Sequence, residues 1–403
     1  MRGLTAAVHE VLDRRLLSAS PAPIAVALSG GGDSLALTLM AADWAKARGR
    51  SLLVLTVDHG LNAQSAAWTR SCAATADRLG ADFRALAWEG GKPATGLPAA
   101  ARAARHRLIA DAARAAGAKV VLMGHTASDR LEAAAMRQAG ASTPSPREWT
   151  PSPAWPQGRD LFLLRPMLAQ GRAEIRAWLT ERGEVWIEDP ANEDPRFARA
   201  RARATLTGDE TDAGPPAPVL TDLALSTTDL AGGLAAPRAR LRAAPAAFLA
   251  AACLSAAGTS RPPRGDRLKR LADALTGERD CTATLAGARI EADAREVRFL
   301  RDPGRAGLET LSLAAGQTAV WDGRFEVTTD RPIVIQALAG HAAGLSPLSR
   351  SALQRLPAGA RGGLPFIPGQ GSPVLAAIVG VMARPLALER LRAACGLIDR
   401  EPA

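Results

Sequence analysis

Six consecutive residues, Ser29-Gly30-Gly31-Gly32-Asp33-Ser34, combine three glycines with two hydroxyls and a carboxylate. That is a set suited to gripping phosphate. Glycines reach positive φ and let main-chain amides close on an anion, and a helix starting there adds N–H groups and a favourable dipole. The carboxylate suits a hard cation bound alongside the phosphate, because magnesium takes oxygen ligands and usually only one or two carboxylates. The loop lacks the Lys followed by Ser or Thr of a Walker loop, and its glycines miss the G-x-G-x-x-G spacing of a dinucleotide fingerprint. A Gly-rich turn ending a strand is the alternative reading of such a run.

The elements that must hold this loop are written around it. Ile24 to Leu28 is an apolar run that predicts a strand, and Leu35 to Trp44 predicts a helix. Further apolar runs at Leu52 to Val57, Phe83 to Ala87, Val120 to Met123 and Leu161 to Leu164 are separated by Ala- and Arg-rich stretches long enough for helices. This βαβ alternation specifies a parallel sheet covered by helices, with ligands at the carboxyl ends of the strands. The loop follows the first strand, Asp58-His59-Gly60 the second, and Gly124-His125-Thr126 the run ending at Met123. Asp58 has a structural alternative as a turn cap, and His125 as a hydrogen-bonded strand-end residue. Their joint placement beside a phosphate loop favours site residues. Asp129 and Glu132, three apart on an expected helix, share one face, and Asp33 with Asp129 supplies two carboxylates for magnesium.

Composition narrows the setting. With 403 residues the chain exceeds one ordinary core, and 47% hydrophobic residues suit a globular protein of two or three domains. No run approaches a membrane span, so a cytoplasmic protein without a membrane partner is expected. Cys72, Cys253, Cys281 and Cys395 are far apart and include no C-x-x-C pair, which argues against a disulfide framework or structural zinc. The balance of 50 basic to 40 acidic residues is carried almost entirely by arginine, whose planar fork suits phosphates and bases.

The motifs together carry a family resemblance. The S-G-G-x-D-S loop resembles the PP-loop of ATP pyrophosphatases, which cleave ATP between the α and β phosphates. The chain more specifically resembles tRNA(Ile)-lysidine synthetase through Val57-Asp58-His59-Gly60, Ala101-Arg102-Ala103-Ala104-Arg105-His106, Gly124-His125-Thr126-Ala127-Ser128-Asp129 with Glu132, Arg165-Pro166-Met167-Leu168, and Asp189-Pro190-Ala191-Asn192 leading to Arg199, Arg201 and Arg203. The resemblance implies a Rossmann-like α/β catalytic domain of the PP-loop type with smaller helical and α+β C-terminal domains. It also implies ATP and Mg2+ as co-substrate and cofactor, with L-lysine and a tRNA(Ile) bearing a CAU anticodon as partners. ATP binding falls to Ser29, Gly30, Gly31, Gly32, Asp33, Ser34, Val57, Asp58, His59 and His125. Asp33 and Asp129 carry the metal, and Arg102 and Arg105 contact substrate or transition-state phosphate. Arg196, Arg199, Arg201 and Arg203 form a basic run for the anticodon arm. Ser128 stands where the family often has a further acid, Arg130 replaces a common Gln, and His106 stands where Tyr is usual. Ala200 and Ala202 likewise replace the usual Asn and Ile.

Thr207 to Pro218 is polar with Pro215-Pro216, which sets expected boundaries at 1–207 for the catalytic domain and 208–217 for a linker, and Pro332 opens a further region, which divides the rest into 218–331 for a mixed middle domain and 332–403 for a small third domain. Helical patterns are expected from about Pro218 to Gly277, then short strands at Thr282 to Ala286 and Val297 to Leu300. The middle domain is expected to bind tRNA. A PP-loop tRNA 2-thiolase is the nearest rival, and the lone Cys72 of the catalytic half argues against it. An ammonia-using ligase would bring a Cys/His glutaminase signature, and none is visible.

Overall fold

The alternation in the sequence becomes one twisted sheet in which each strand feeds both faces. The computed structural model describes residues 3–140, 145–189, 201–202, 220–263, 265–370, 373 and 378–403. Its first part contains strands β1 (Ile24–Ala27), β2 (Leu52–Asp58), β3 (Asp82–Ala87), β4 (Val120–Met123), β5 (Trp149–Pro151) and β6 (Phe162–Leu164). Between and around them run helices α1 (Leu4–Arg15), α2 (Gly32–Ala47), α3 (Ser65–Arg78), α4 (Leu97–Ala115), α5 (Ala127–Gln138) and α6 (Arg172–Glu181). Spatial order is β3-β2-β1-β4-β6-β5, with β5 antiparallel to β6 and the other neighbours parallel.

Side-chain alternation divides the core by residue parity. Ile24, Val26, Leu52, Val54, Val120 and Leu122 face the layer built by α1, α2 and α6, where Leu12, Leu37, Trp44 and Leu179 are buried. Their neighbours Ala25, Leu53, Leu55, Val121 and Met123 face α4 through Ile109 and Ala113. Two faces covered by helices explain why these strands are nearly continuously apolar. Each fully buried Leu or Ile contributes about 1.5–3 kcal/mol relative to exposure.

Because α4 carries the chain from β3 back across to β4, the strand order reverses beside β1. The crevice at this switch point opens between the carboxyl ends of β1 and β4, which is where ligands bind in open α/β sheets. Helix α2 starts at Gly32, three residues before the expected Leu35, so Asp33 and Ser34 lie in its first turn. Strand β5 was not expected from the sequence. It is three residues long and contains Pro151, which suits an edge.

The chain divides into two units, Met1–Pro216 with Ile398–Ala403, and Ala217–Leu397. In the second unit an antiparallel sheet orders Thr228–Leu230, Gly233–Pro237, Glu296–Arg301, Ala288–Ala292 and Cys281–Leu285, and Ala246–Ala257 covers it. Its first two strands fall in a stretch expected to be helical, since Gly232-Gly233 and the alanines there give no period-2 signal. The boundary expected at residue 332 is corrected by the ladders. Phe325–Thr329 pairs with Val381–Pro385, and Ile333–Ala337 pairs with Leu311–Leu313, so strands on both sides of that position depend on one another. Residues 208–217, the expected linker, lie outside the described residues. Among the described residues no helix is long and apolar enough to cross a membrane, and all four cysteines are free.

Candidate active site

The glycine loop is shaped by its own hydroxyls. Ser34 Oγ donates to the Gly31 carbonyl at 2.9 Å, accepts from Ser29 N at 3.2 Å, and lies 3.1 Å from Ser29 Oγ. Gly30 takes φ +84°, and a Cβ there would lie 2.3 Å from Ile187 Cδ1. Ile187 N also donates to the Gly30 carbonyl at 2.9 Å, so the segment before Glu188 braces the loop. The first helical bond of α2 runs from Leu35 N to Gly31 O. The amides of Gly32, Asp33 and Ser34 precede it and point out of the helix end, giving an anion-binding N-terminus.

Gly124 is what lets the two sides of the crevice meet. A Cβ on it would lie 2.9 Å from Ser34 Cα, 3.0 Å from Ser34 N and 3.1 Å from the Asp33 carbonyl carbon. Backbone touches backbone there.

Beside the loop stands an acidic group held by one arginine. Arg172 Nε donates to Asp33 Oδ2 at 3.1 Å, and its Nη1 lies 3.7 Å from Glu132 Oε1. Burial raises the Asp33 carboxyl above the usual range despite Arg172, and the charge of Asp129 adds to the rise. Burial weakens the Arg172 guanidinium too, yet Asp33, Asp129 and Glu132 together hold its pKa above normal. Asp129 is buried and accepts from Thr126 N at 2.9 Å and Thr126 Oγ1 at 3.3 Å, which fixes it at the start of α5. Glu132, one helical turn on, is fully buried.

A basic group forms the other wall. Arg165 Nε donates to His125 Nδ1 at 3.2 Å, while its Nη1 donates to Arg147 O at 2.8 Å and Thr150 Oγ1 at 3.2 Å. Because a guanidinium only donates, Nδ1 of His125 is the acceptor in this bond. Arg165 is itself brought down to about 10 by burial and the charge of Arg102. His106 is buried, and that burial, with Arg102, Arg105, Arg165 and His125 around it, drives its pKa to about 3. It stays neutral throughout the physiological range.

A family model described as a PP-loop domain matches residues 4–210. A tRNA(Ile)-lysidine synthase of Caulobacter vibrioides is 48% identical over 410 positions, covering 98% of each chain. The chain belongs to the tRNA(Ile)-lysidine synthase family. Another tRNA(Ile)-lysidine synthase, from Rhizobium meliloti, is 34% identical over 87% of this chain and 83% of its own. Among solved structures, a U34-tRNA thiolase from Methanococcus maripaludis aligns at 14% identity and a TM-score of 0.41, over 50% of this chain and 70% of that one.

Within this family member, the structure gathers Ser29, Gly30, Gly31, Gly32, Asp33, Ser34, Asp129 and His125 around the switch point. Arg102 is exposed and Arg105 partly buried on α4, and both act electrostatically on His106. Val57 lies at the end of β2, packed against the α4 layer. The Asp58 side chain accepts from Gly60 N at 2.7 Å, the turn-capping arrangement. His59 meets the Trp88 ring edge-on at 6.0 Å, and burial followed by Arg105 lowers its pKa. Arg201 is exposed, and Arg196, Arg199 and Arg203 lie outside the described residues.

Sequence reasoning missed Arg172 altogether and gave Arg165 no role. The only signal for Arg172 was its place just after the Arg165-Pro166-Met167-Leu168 element. Nothing local marks a cation that serves a carboxylate 139 residues away.

Proposed function

We propose that the chain ligates L-lysine to C2 of the wobble cytidine in the CAU anticodon of tRNA(Ile), changing decoding from AUG to AUA. The observation that carries this reading is end-to-end likeness, at 48% identity over 98% of both chains, to a curated enzyme of that name. The cytosine carbonyl oxygen attacks the α-phosphorus of ATP, and pyrophosphate leaves. The lysine ε-amine then attacks C2 of the adenylated base, and AMP leaves with the former carbonyl oxygen. Lysidine, AMP and pyrophosphate are the products. The chemistry needs positioning and charge neutralisation more than a protein nucleophile.

The roles assigned within this reading draw on the crevice and on the basic run of the sequence. The Ser29–Ser34 loop and the first turn of α2 bind the departing pyrophosphate, and His59 and His125 sit beside the nucleotide. Arg102 and Arg105 neutralise phosphate charge, while Arg165 is committed to His125 and positions it. Arg196, Arg199, Arg201 and Arg203 meet the anticodon arm, and the second unit holds the rest of the tRNA. Such an enzyme would meet its tRNA and ATP in the cytoplasm, and that is the compartment this reading assigns.

Magnesium fits the donor set, because Asp33 and Asp129 are carboxylates close enough for their charges to repel. When bound, it supplies positive charge to the phosphates. No cluster of three or more His, Cys, Asp or Glu suited to a metal occurs among the described residues, so two carboxylates with phosphate oxygens would be the set.

The test supplies purified enzyme, ATP, Mg2+, lysine and a CAU-bearing tRNA(Ile), and follows AMP, pyrophosphate and the nucleoside mass. A gain of one lysine less one water is expected. Sulfur incorporation, or no gain, would overturn the reading.

A second measurement probes the acidic group without turnover. Arg172→Ala leaves Asp33, Asp129 and Glu132 without their shared cation and should cost about 2 kcal/mol, or roughly 4–8 °C in Tm. Millimolar Mg2+ should recover part of that loss relative to EDTA, as a ligand bound only by the folded state does. An identical deficit in both would show that the carboxylates do not bind the ion.

A further inference from the structure

Residues 398–403 follow the second unit in sequence but belong to the first. Their attachment is specific. Arg50 and Glu401, 351 residues apart, form a two-pronged pair at 2.8 and 3.0 Å with both side chains only 1% exposed. Arg50 also donates to Ala22 O at 2.7 Å and to Leu17 O, while Glu401 Oε2 accepts from Leu17 N at 2.8 Å. Glu401 N donates to Arg15 O at 2.7 Å, and Arg15 Nη1 reaches Asp399 O at 2.5 Å. Burying two charges is costly unless the geometry satisfies them, and here both Nη nitrogens of Arg50 and both carboxylate oxygens of Glu401 have partners.

The same segment holds β5. Trp149 Nε1 donates to Ile398 O at 2.7 Å, and its ring stacks on Phe162 of β6 at 5.0 Å. Glu148, the neighbouring residue, takes Arg14 and Arg15 at 2.8 Å each, and its carbonyl accepts from Arg165 N at 2.8 Å. Arg147 O and Thr150 Oγ1, which flank this pair, are the acceptors that aim the Arg165 guanidinium. Its remaining Nε is the one bonded to His125. An unbroken series of contacts thus runs from the tail, through β5, to a histidine of the crevice.

We infer that residues 398–403 are a positioning element of the ATP site, with Trp149 and Glu401 acting through β5 and Arg165 on His125. The inference rests on the proposed ligase reading. A three-residue edge strand has few bonds of its own, so its placement depends on what braces it. The chain crosses between the units twice, at 216/217 and at 397/398, and the second crossing ends in this brace.

Trp149→Phe tests the connection most gently, because it keeps an aromatic ring against Phe162 while removing the N–H to Ile398 O along with part of the indole. Glu401→Gln is the stronger variant. Lysidine formation by the unaltered enzyme is measured first, and its failure would sink the ligase reading and not the tail assignment. Given activity, each variant should raise the KM for ATP about 3- to 10-fold in pyrophosphate release, with tRNA Kd unchanged. In a His125→Ala background the same substitutions should change the KM by less than about 1.5-fold, because the series is already cut. Additive effects in that background, or a lowered Tm with unaltered KM, would overturn the inference. Should Glu401→Gln not fold, Trp149→Phe decides alone.

Discussion

Asp33→Asn should lower pyrophosphate release by about 10³-fold while leaving tRNA affinity within about twofold. The side chain sits in the first turn of α2, beside the amides proposed to hold the departing phosphates. The amide keeps the shape and one acceptor oxygen and loses the charge, so what disappears is a carboxylate for magnesium and the ionic part of the contact with Arg172. Arg172 keeps Glu132 at 3.7 Å and the field of Asp129, which is why the fold should survive. Filter binding of tRNA and a melting curve accompany the rate. If tRNA affinity or Tm falls with the rate, Asp33 is a structural residue and the proposed role is wrong.

Gly124→Ala should be nearly as damaging for a different reason. Its added carbon would meet Ser34 Cα, Ser34 N and the Asp33 carbonyl carbon at 2.9–3.1 Å, all of them backbone. No flexible side chain can yield, so the end of β4 and the first turn of α2 must part. Overpacking of this kind costs about 1–3 kcal/mol. The loop that should cradle the phosphates moves with it, and ATP binding measured by calorimetry should weaken about 100-fold. Gly344→Ala, with open space around it, is the control and should change neither quantity. Unaltered ATP binding in Gly124→Ala would show that the crevice tolerates widening.

Much of the catalytic unit could be read from local pattern. Val120 to Met123 was expected as a strand and is β4, and the runs at Leu52 and Phe83 are strands shifted by a residue or less. Four to seven apolar residues between Ala- and Arg-rich helices are a strong signal where both sheet faces are covered. The same signal fails at Trp149 to Pro151, because an edge strand of three residues has no room for a period. It fails again at Thr228 to Pro237, where the turn at Gly232 separates two strands too poor in β-branched residues to stand out. The boundary expected at 332 failed because proline and polar residues mark turns within a domain as readily as between domains, and only strand pairing distinguishes the two.

By itself the sequence determined the parts and their order: a glycine loop after a strand, acids three apart on a helix, histidines after strands, and a family resemblance in their spacing. Local propensity and short-range geometry suffice for those. Only the tertiary structure decided which parts meet. The crossing of α4 from β3 to β4 sets the loop against Gly124, and a guanidinium 139 residues downstream closes on Asp33. Arg165 turns to His125 because Thr150, on a strand unseen in the sequence, and Arg147 just before it accept from its Nη1, and that strand is braced by residues near 400. Such contacts arise from the packing of whole elements, and no window along the chain contains both partners.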